Sequence, residues 1–259
     1  MTVSESQSQG GALLKDRLVV VTGAGQGIGR AIALGVAAAG ARVVVTDLRP
    51  DRAESAARAV REAGKEAFAY SLDVTDAAAC SDMAQRVHQE IGTADVIVNN
   101  AGIIIREPID SPRAHDNWRQ VFDVNVNGTF NVVHAFIPAL RKSRGCIINV
   151  ASVAAFGGMN GALGYSPSKG AVRLFTQALA RDLAPDGIRV NAVAPGIIAT
   201  EMSESTRDNP ARLSGLMART PMKRVGQPNE IAGPVIFLAS AMASYVNGVI
   251  LPVDGGYLA

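Results

Sequence analysis

The chain has 259 residues, 48% of them apolar and 19% charged, with a formal net charge of +2. This composition supports a substantial core and excludes a disordered chain, and the scattered Lys and Arg give no reason to expect a nucleic acid or an anionic membrane as partner. No apolar run approaches the ~20 residues that span a bilayer, and Cys80, Cys146, His88, His115 and His134 follow no metal-ligand or disulfide-framework spacing, so no metal is expected.

Residues 1–12 are polar, rich in Ser, Gln and Gly, and lack the apolar stretch of a signal peptide. They read as a flexible lead-in to a cytoplasmic protein, and residues 13–259 read as one domain. Short Val-, Ile- and Ala-rich runs at 18–22, 42–47, 67–71, 95–99, 146–151, 189–194 and 249–253 predict strands covered on both faces. Helix-length segments lie between them, among others at 29–39, 52–63, 76–91 and 169–183. Asp51 and Asp76 are placed to cap helix N-termini, and Gly40, Gly64 and Gly92 stand where helices should stop. Such alternation predicts an α/β fold, a parallel sheet with right-handed crossovers and helices on both faces. Residues 200–227 break the rhythm and predict a substrate loop or lid.

The first strand runs into Thr22-Gly23-Ala24-Gly25-Gln26-Gly27-Ile28-Gly29, and an Ala-rich helical pattern follows. Strand, glycine turn and helix N-terminus together bind a pyrophosphate, because the backbone N–H groups point outward and glycine permits close approach. Asp47 ends the second strand, where a carboxylate can accept both hydroxyls of an adenosine ribose or serve as an ordinary turn residue. A carboxylate there would repel a 2′-phosphate, which points to NAD; Arg49 keeps NADP as the minority reading.

Asn125 lies in a long helical pattern, as a polar residue that serves either the backbone or a site. Ser152 follows the fifth strand, as a turn cap or a functional hydroxyl. Tyr165 and Lys169 are four apart at the start of a helix, hence on one face. A nearby ammonium favours the phenolate, and a Tyr tuned in that way can exchange a proton with an alcohol or carbonyl oxygen. Pro167 between them is tolerated in a first helical turn.

Taken together, these motifs resemble the short-chain dehydrogenase/reductase family in its compact single-domain branch, from about Leu14 to the C-terminus. The family's glycine motif is matched by Thr22 to Gly29, its Asn-Asn-Ala-Gly by Asn99, Asn100, Ala101 and Gly102, and its Pro-Gly motif by Pro195, Gly196, Ile197, Ile198, Ala199 and Thr200. Asp73, followed by Val74, matches its adenine-contacting acid. The resemblance implies a Rossmann-type, doubly wound sheet of seven parallel strands and a catalytic set of Asn125, Ser152, Tyr165 and Lys169. In it Tyr165 is the general acid/base, and Lys169 binds the nicotinamide ribose and lowers the Tyr165 pKa. Ser152 polarises the reacting oxygen, Asn125 positions a relay water, and the nicotinamide lies near Ile198 and Thr200. It further implies a small-molecule substrate and a homotetramer, with the apolar stretch 246–259 suited to subunit packing.

The substrate pocket is expected around Ser152, Ala154, Met159 and Tyr165, residues 103–105 and the segment after Thr200. That lining is small and apolar with no evident carboxylate or phosphate clamp, which favours a neutral secondary alcohol or ketone. The alternatives are a 3-oxoacyl-(acyl-carrier-protein) reductase using NADPH, supported by Arg207, Arg212, Arg219, Lys223 and Arg224, and a sugar or polyol dehydrogenase.

Overall fold

The strands β1 (Leu18–Val21), β2 (Arg42–Asp47), β3 (Ala67–Ser71), β4 (Val96–Asn99), β5 (Cys146–Val150), β6 (Arg189–Pro195) and β7 (Ile250–Val253) form one sheet in a computed structural model that describes residues 12–259. The expected lead-in, Ala12 apart, lies outside the described residues. The strand order is β3-β2-β1-β4-β5-β6-β7, and every pairing is parallel. Each predicted strand is present, with ends that move by at most one residue.

Because side chains alternate across a strand, the Val and Ile runs supply two cores. Val19, Val21, Val43, Val45, Val98 and Ile148 face one layer of helices. Leu18, Val20, Val44, Ile97, Ile147 and Val190 face the other. The first layer holds α1 (Gly27–Ala38), α2 (Pro50–Glu62) and, later in the chain, the helix at Asn229–Ala239. The second holds α3 (Ala77–Glu90), α4 (Ala114–Phe122), α5 (Gly128–Ser143) and α6 (Tyr165–Asp182).

Asp76 caps α3 by accepting from the backbone N–H groups of Ala78 and Ala79. Asp51 does not cap α2: Pro50 takes the first helical position, where its missing N–H costs nothing, and Asp51 falls in the first turn. Gly40, Gly64 and Gly92 follow the ends of α1, α2 and α3 with positive φ, as helix stops require. Between α4 and α5 the chain makes one π-helical turn, Asp123–Asn127, which carries Asn125.

Residues 200–227 are not an irregular loop. They contain α7 (Glu204–Arg207) and α8 (Pro210–Arg219), the latter capped by Asn209, which accepts from Arg212 N–H. Helix α9 (Asn229–Ala239) follows and packs on α1, where Gly35 meets Ala232 so closely that a Cβ would stand 2.8 Å from the alanine methyl.

Candidate active site

The sheet reverses direction of winding between β1 and β4, so the chain leaves the two strands toward opposite faces and opens a crevice at their carboxyl ends. A cleft of about 460 Å3 lies there, lined from Gly23 to Leu216 by segments following β1, β2, β3, β4, β5 and β6. Its two ends differ in chemistry.

At one end the glycine turn closes on the start of α1. Gly23 has φ 58°, and a Cβ on it would lie 2.8 Å from the Ala101 Cα; a Cβ on Gly29 would lie 2.4 Å from the Gly23 oxygen. Only glycine allows these approaches. Gln26 at the helix start makes no side-chain cap bond, so the first-turn N–H groups of α1 stay available, and its buried Oε1 has no partner. Helix N-terminus, uncapped donors and glycine walls suit a pyrophosphate. Asn100 fixes the cradle from β4: its backbone N–H donates to Thr22 Oγ1 at 3.1 Å, and its side chain donates to the carbonyls of Thr22 and Gly23 at 2.9 Å each.

Asp47 flanks the cradle. Its Oδ2 accepts from Gly25 N–H at 3.0 Å and its Oδ1 from Arg49 N–H at 3.1 Å. The Arg49 guanidinium is turned to Asp51, with Nε and Nη2 donating to the two carboxylate oxygens at 3.2 and 2.7 Å. Asp73 and Val74 line the same end, Asp73 holding Thr75 through its N–H and hydroxyl. Pro195, Gly196, Ile198 and Thr200 line the middle of the cleft, and Thr200 and Ser203 form a reciprocal cap at the entrance to α7.

At the other end stand Ser152, Met159, Tyr165 and Lys169. Ser152 leaves β5 and serves as the cap its position suggests, accepting from Ala154 N–H at 3.1 Å. Tyr165 opens α6, and Lys169, one turn on, holds its Nζ 5.8 Å from the Tyr165 ring centre while donating to the Val150 carbonyl at 2.7 Å. Both are buried. Burial lowers the Lys169 pKa to about 8. Burial also pushes the Tyr165 phenol up, opposed by the Ser152 hydroxyl and then by the charge of Arg106. Arg106 thus joins Lys169, 5.8 Å from the ring centre, as a cation near the phenol.

Three expected residues, Ile105, Ala154 and Asn125, do not line the cleft. Ala154 packs behind it with Ala162 and Tyr165. Asn125 is fully buried in the π-helical turn; its Oδ1 accepts from Ile103 N–H at 2.8 Å, and its Nδ2 donates to the Ile103 carbonyl and to Ser168 Oγ. It reaches the site through Gly102, where a Cβ would lie 3.1 Å from Asn125 Oδ1 and 3.4 Å from Lys169 Nζ. Thr206 and Leu216, in the segment expected to line the pocket after Thr200, do line the cleft; the sequence reading passed over Arg106, which lines it too. Arg106 directly follows Ile103, Ile104 and Ile105, and a charge ending an apolar run in the segment after β4 was the available signal.

Among the described residues no cluster of three His, Cys, Asp or Glu side chains could hold a metal ion, and no helix is long and apolar enough to cross a membrane.

Comparison with known proteins agrees with this architecture. A family model described as Enoyl-(Acyl carrier protein) reductase matches residues 23–258. Cyclopentanol dehydrogenase of Comamonas sp. (strain NCIMB 9872) is 39% identical over 247 residues, 95% of this chain and 98% of that protein. Galactitol 2-dehydrogenase (L-tagatose-forming) of Cereibacter sphaeroides is 42% identical over 248 residues, 92% and 93% of the two chains. Among solved structures, a gluconate 5-dehydrogenase from Burkholderia cenocepacia J2315 in complex with NADP and tartrate is 38% identical, with a TM-score of 0.90 over 95% of this chain and 96% of that one.

Proposed function

The chain belongs to the short-chain dehydrogenase/reductase family and is an oxidoreductase of secondary alcohols using a nicotinamide coenzyme, and from that premise we propose that NAD(H) is the coenzyme and that Ser152, Tyr165 and Lys169 carry the reaction. The observation that carries this reading is the joint burial of Tyr165, Ser152 and Lys169 at one end of a cleft whose other end is a glycine cradle.

The bound nicotinamide supplies a hydride acceptor for oxidation or a donor for reduction. In oxidation Tyr165, as phenolate, takes the proton of the substrate hydroxyl while the Ser152 hydroxyl hydrogen-bonds the same oxygen. In reduction Tyr165 returns the proton to the developing alkoxide. Lys169 holds the coenzyme's ribose and keeps positive charge beside the phenol. Asn125 acts as a positioning residue: by clamping Ile103 it keeps Gly102 against Lys169, and one lone pair of its amide oxygen remains for a relay water. Gly23, Gln26, Gly27, Ile28, Gly29, Asn100 and Ala101 hold the pyrophosphate half, and Asp73 and Val74 the adenine. Residues 200–227 act as the lid.

The preference for NAD(H) rests on Asp47 beside the cradle and on Arg49, which is bound to Asp51 instead of facing a 2′-phosphate. The reading as an NADPH-dependent acyl-carrier-protein reductase draws support from basic residues at 207–224. Of these Arg207 donates to Thr200 and Ser203, Lys223 to the carbonyls ending α8, Arg224 pairs with Glu230 and Arg219 lies over the Tyr257 ring, whereas Arg212 pairs with no carboxylate among the described residues. The same reading makes the protein a cytoplasmic homotetramer. Exposed Phe130 and Leu174 on α5 and α6, and the half-exposed edge strand β7, support subunit packing.

Tyr165→Phe keeps the ring and removes the proton. Turnover should fall at least ~100-fold while NADH still binds; near wild-type turnover would overturn the assignment.

A further inference from the structure

We propose that Arg106 determines specificity at the substrate end of the cleft by binding a carboxylate, so that the substrate is a hydroxy acid or keto acid. This deepens the oxidoreductase reading above and rests on it.

Arg106 lines the same cleft as Ser152, Tyr165 and Lys169. It lies in the segment between β4 and α4, seven residues past Asn99, and its Nη2 donates to Thr206 Oγ1 on α7 at 2.9 Å, so the guanidinium joins that segment to α7. Its Nε is enclosed and has no hydrogen-bond partner, and among the described residues no carboxylate pairs with it. The adjacent acid, Glu107, is engaged by Arg113, Ser111 and Asn117 instead. The acids that line the cleft serve elsewhere: Asp47 and Asp73 at the adenosine end, and Glu201 with Arg52 at 3.4 Å. Arg212 adds positive charge near Arg106 rather than balancing it.

A partly buried guanidinium with an unsatisfied N–H is costly unless an anion completes it. Its planar fork presents parallel N–H groups that match a carboxylate in two hydrogen bonds. The Thr206 hydroxyl holds one corner of that fork at Nη2 and leaves Nη1, which makes no hydrogen bond and is not enclosed, for the ligand. A carboxylate bound there shares one cleft with the proton-transferring phenol, which fits a secondary hydroxyl and a carboxyl group on one carbon chain. The apolar lining of the cleft, with Ile104, Val153, Met159 and Leu216 among it, suits the carbon chain of such an acid.

The test pairs probes of one carbon skeleton: gluconate with glucitol, galactonate with galactitol, and 3-hydroxybutyrate with 2-butanol, each with NAD. Wild type should favour the carboxylate of at least one pair by about tenfold or more in kcat/KM, and Arg106→Gln should remove the preference, chiefly through KM. Arg106 also acts on Tyr165, so the ratio within a pair is the readout, because an effect on the phenol is common to both members. Arg106→Lys keeps the charge without the fork and should retain an intermediate preference. Calorimetric titration of the three carboxylates into the NADH-loaded protein gives a readout independent of turnover, with binding at least ~10-fold weaker in Arg106→Gln. Wild-type protein that neither binds nor prefers any of the carboxylates would overturn the proposal. So would an Arg106→Gln variant that lowers both members of each pair equally. Failure of the oxidoreductase reading looks different: no hydride transfer with any probe, although carboxylate binding still depends on Arg106.

Discussion

Lys169 is held in a buried position by one hydrogen bond to the Val150 carbonyl, and burial brings its pKa down to about 8. In the unfolded chain the same amine titrates near ~10.4. Below pH 8 both states carry the proton, and the folded state bears the whole cost of a buried charge, roughly 3 kcal/mol for a shift of this size. Between about 8 and ~10.4 the unfolded chain binds more protons, so stability rises with pH across that window. Lys169→Met should therefore abolish turnover yet stabilise the protein near pH 7 by up to ~3 kcal/mol, a gain that fades toward pH 10. Urea unfolding at both pH values measures this, and an equal effect at the two would refute it. Asp51 offers a second test. It holds the Arg49 guanidinium away from the ribose site, so Asp51→Ala should free that cation and bring an NAD(H) preference of at least ~10-fold in kcat/KM toward parity. An unchanged ratio of specificity constants would show that Arg49 does not reach a 2′-phosphate. Tyr165 and Lys169 were legible in the sequence because one helical turn joins them. Arg106 was not, because its hydroxyl partner, Thr206 on α7, is distant in sequence.

The strands were read to within a residue because Val and Ile runs covered on both faces leave little latitude. Helix starts depended on capping chemistry that was only partly recognised. Asp76 was read correctly; Asn209-Pro210, a cap followed by the residue best suited to a first helical position, announces α8 but was taken for part of a loop. The π-helical turn at Asp123–Asn127 was not legible at all, since one extra residue in a turn leaves the apolar period of its neighbours almost unchanged. Helices α7 and α8 have few buried positions: Thr206 is buried on α7 and none is on α8. Few buried contacts mean low local stability. Amide hydrogen exchange across 200–227 should therefore be fast in the free protein and slow once coenzyme and substrate are bound. Slow exchange that ligands leave unchanged would argue against a lid.

At the scale of the molecule, α4, α5 and α6 share one helical layer, whose outer face exposes large apolar side chains. Phe130 is 52% and Leu174 59% exposed, and Phe130 stacks with His134 and lies 6.2 Å from the Phe175 ring. If this face packs against a second copy, light scattering should report a tetramer for the wild type and a smaller species for Phe130→Glu with Leu174→Glu. A monomeric wild type would contradict the packing.

The strand order also sets a timetable for synthesis. Strands β1, β2 and β3 are neighbours both in sequence and in the sheet, so they can pair as soon as they leave the ribosome. The other side of β1 belongs to β4, and until residues 96–99 emerge the Val-rich β1 is an open edge inviting pairing with another chain. The glycine-turn end of the cleft is encoded in the earliest segments, whereas Arg106 meets Thr206 only when α7 has been made. A nascent chain can thus shape the coenzyme cradle long before it can tell one substrate from another.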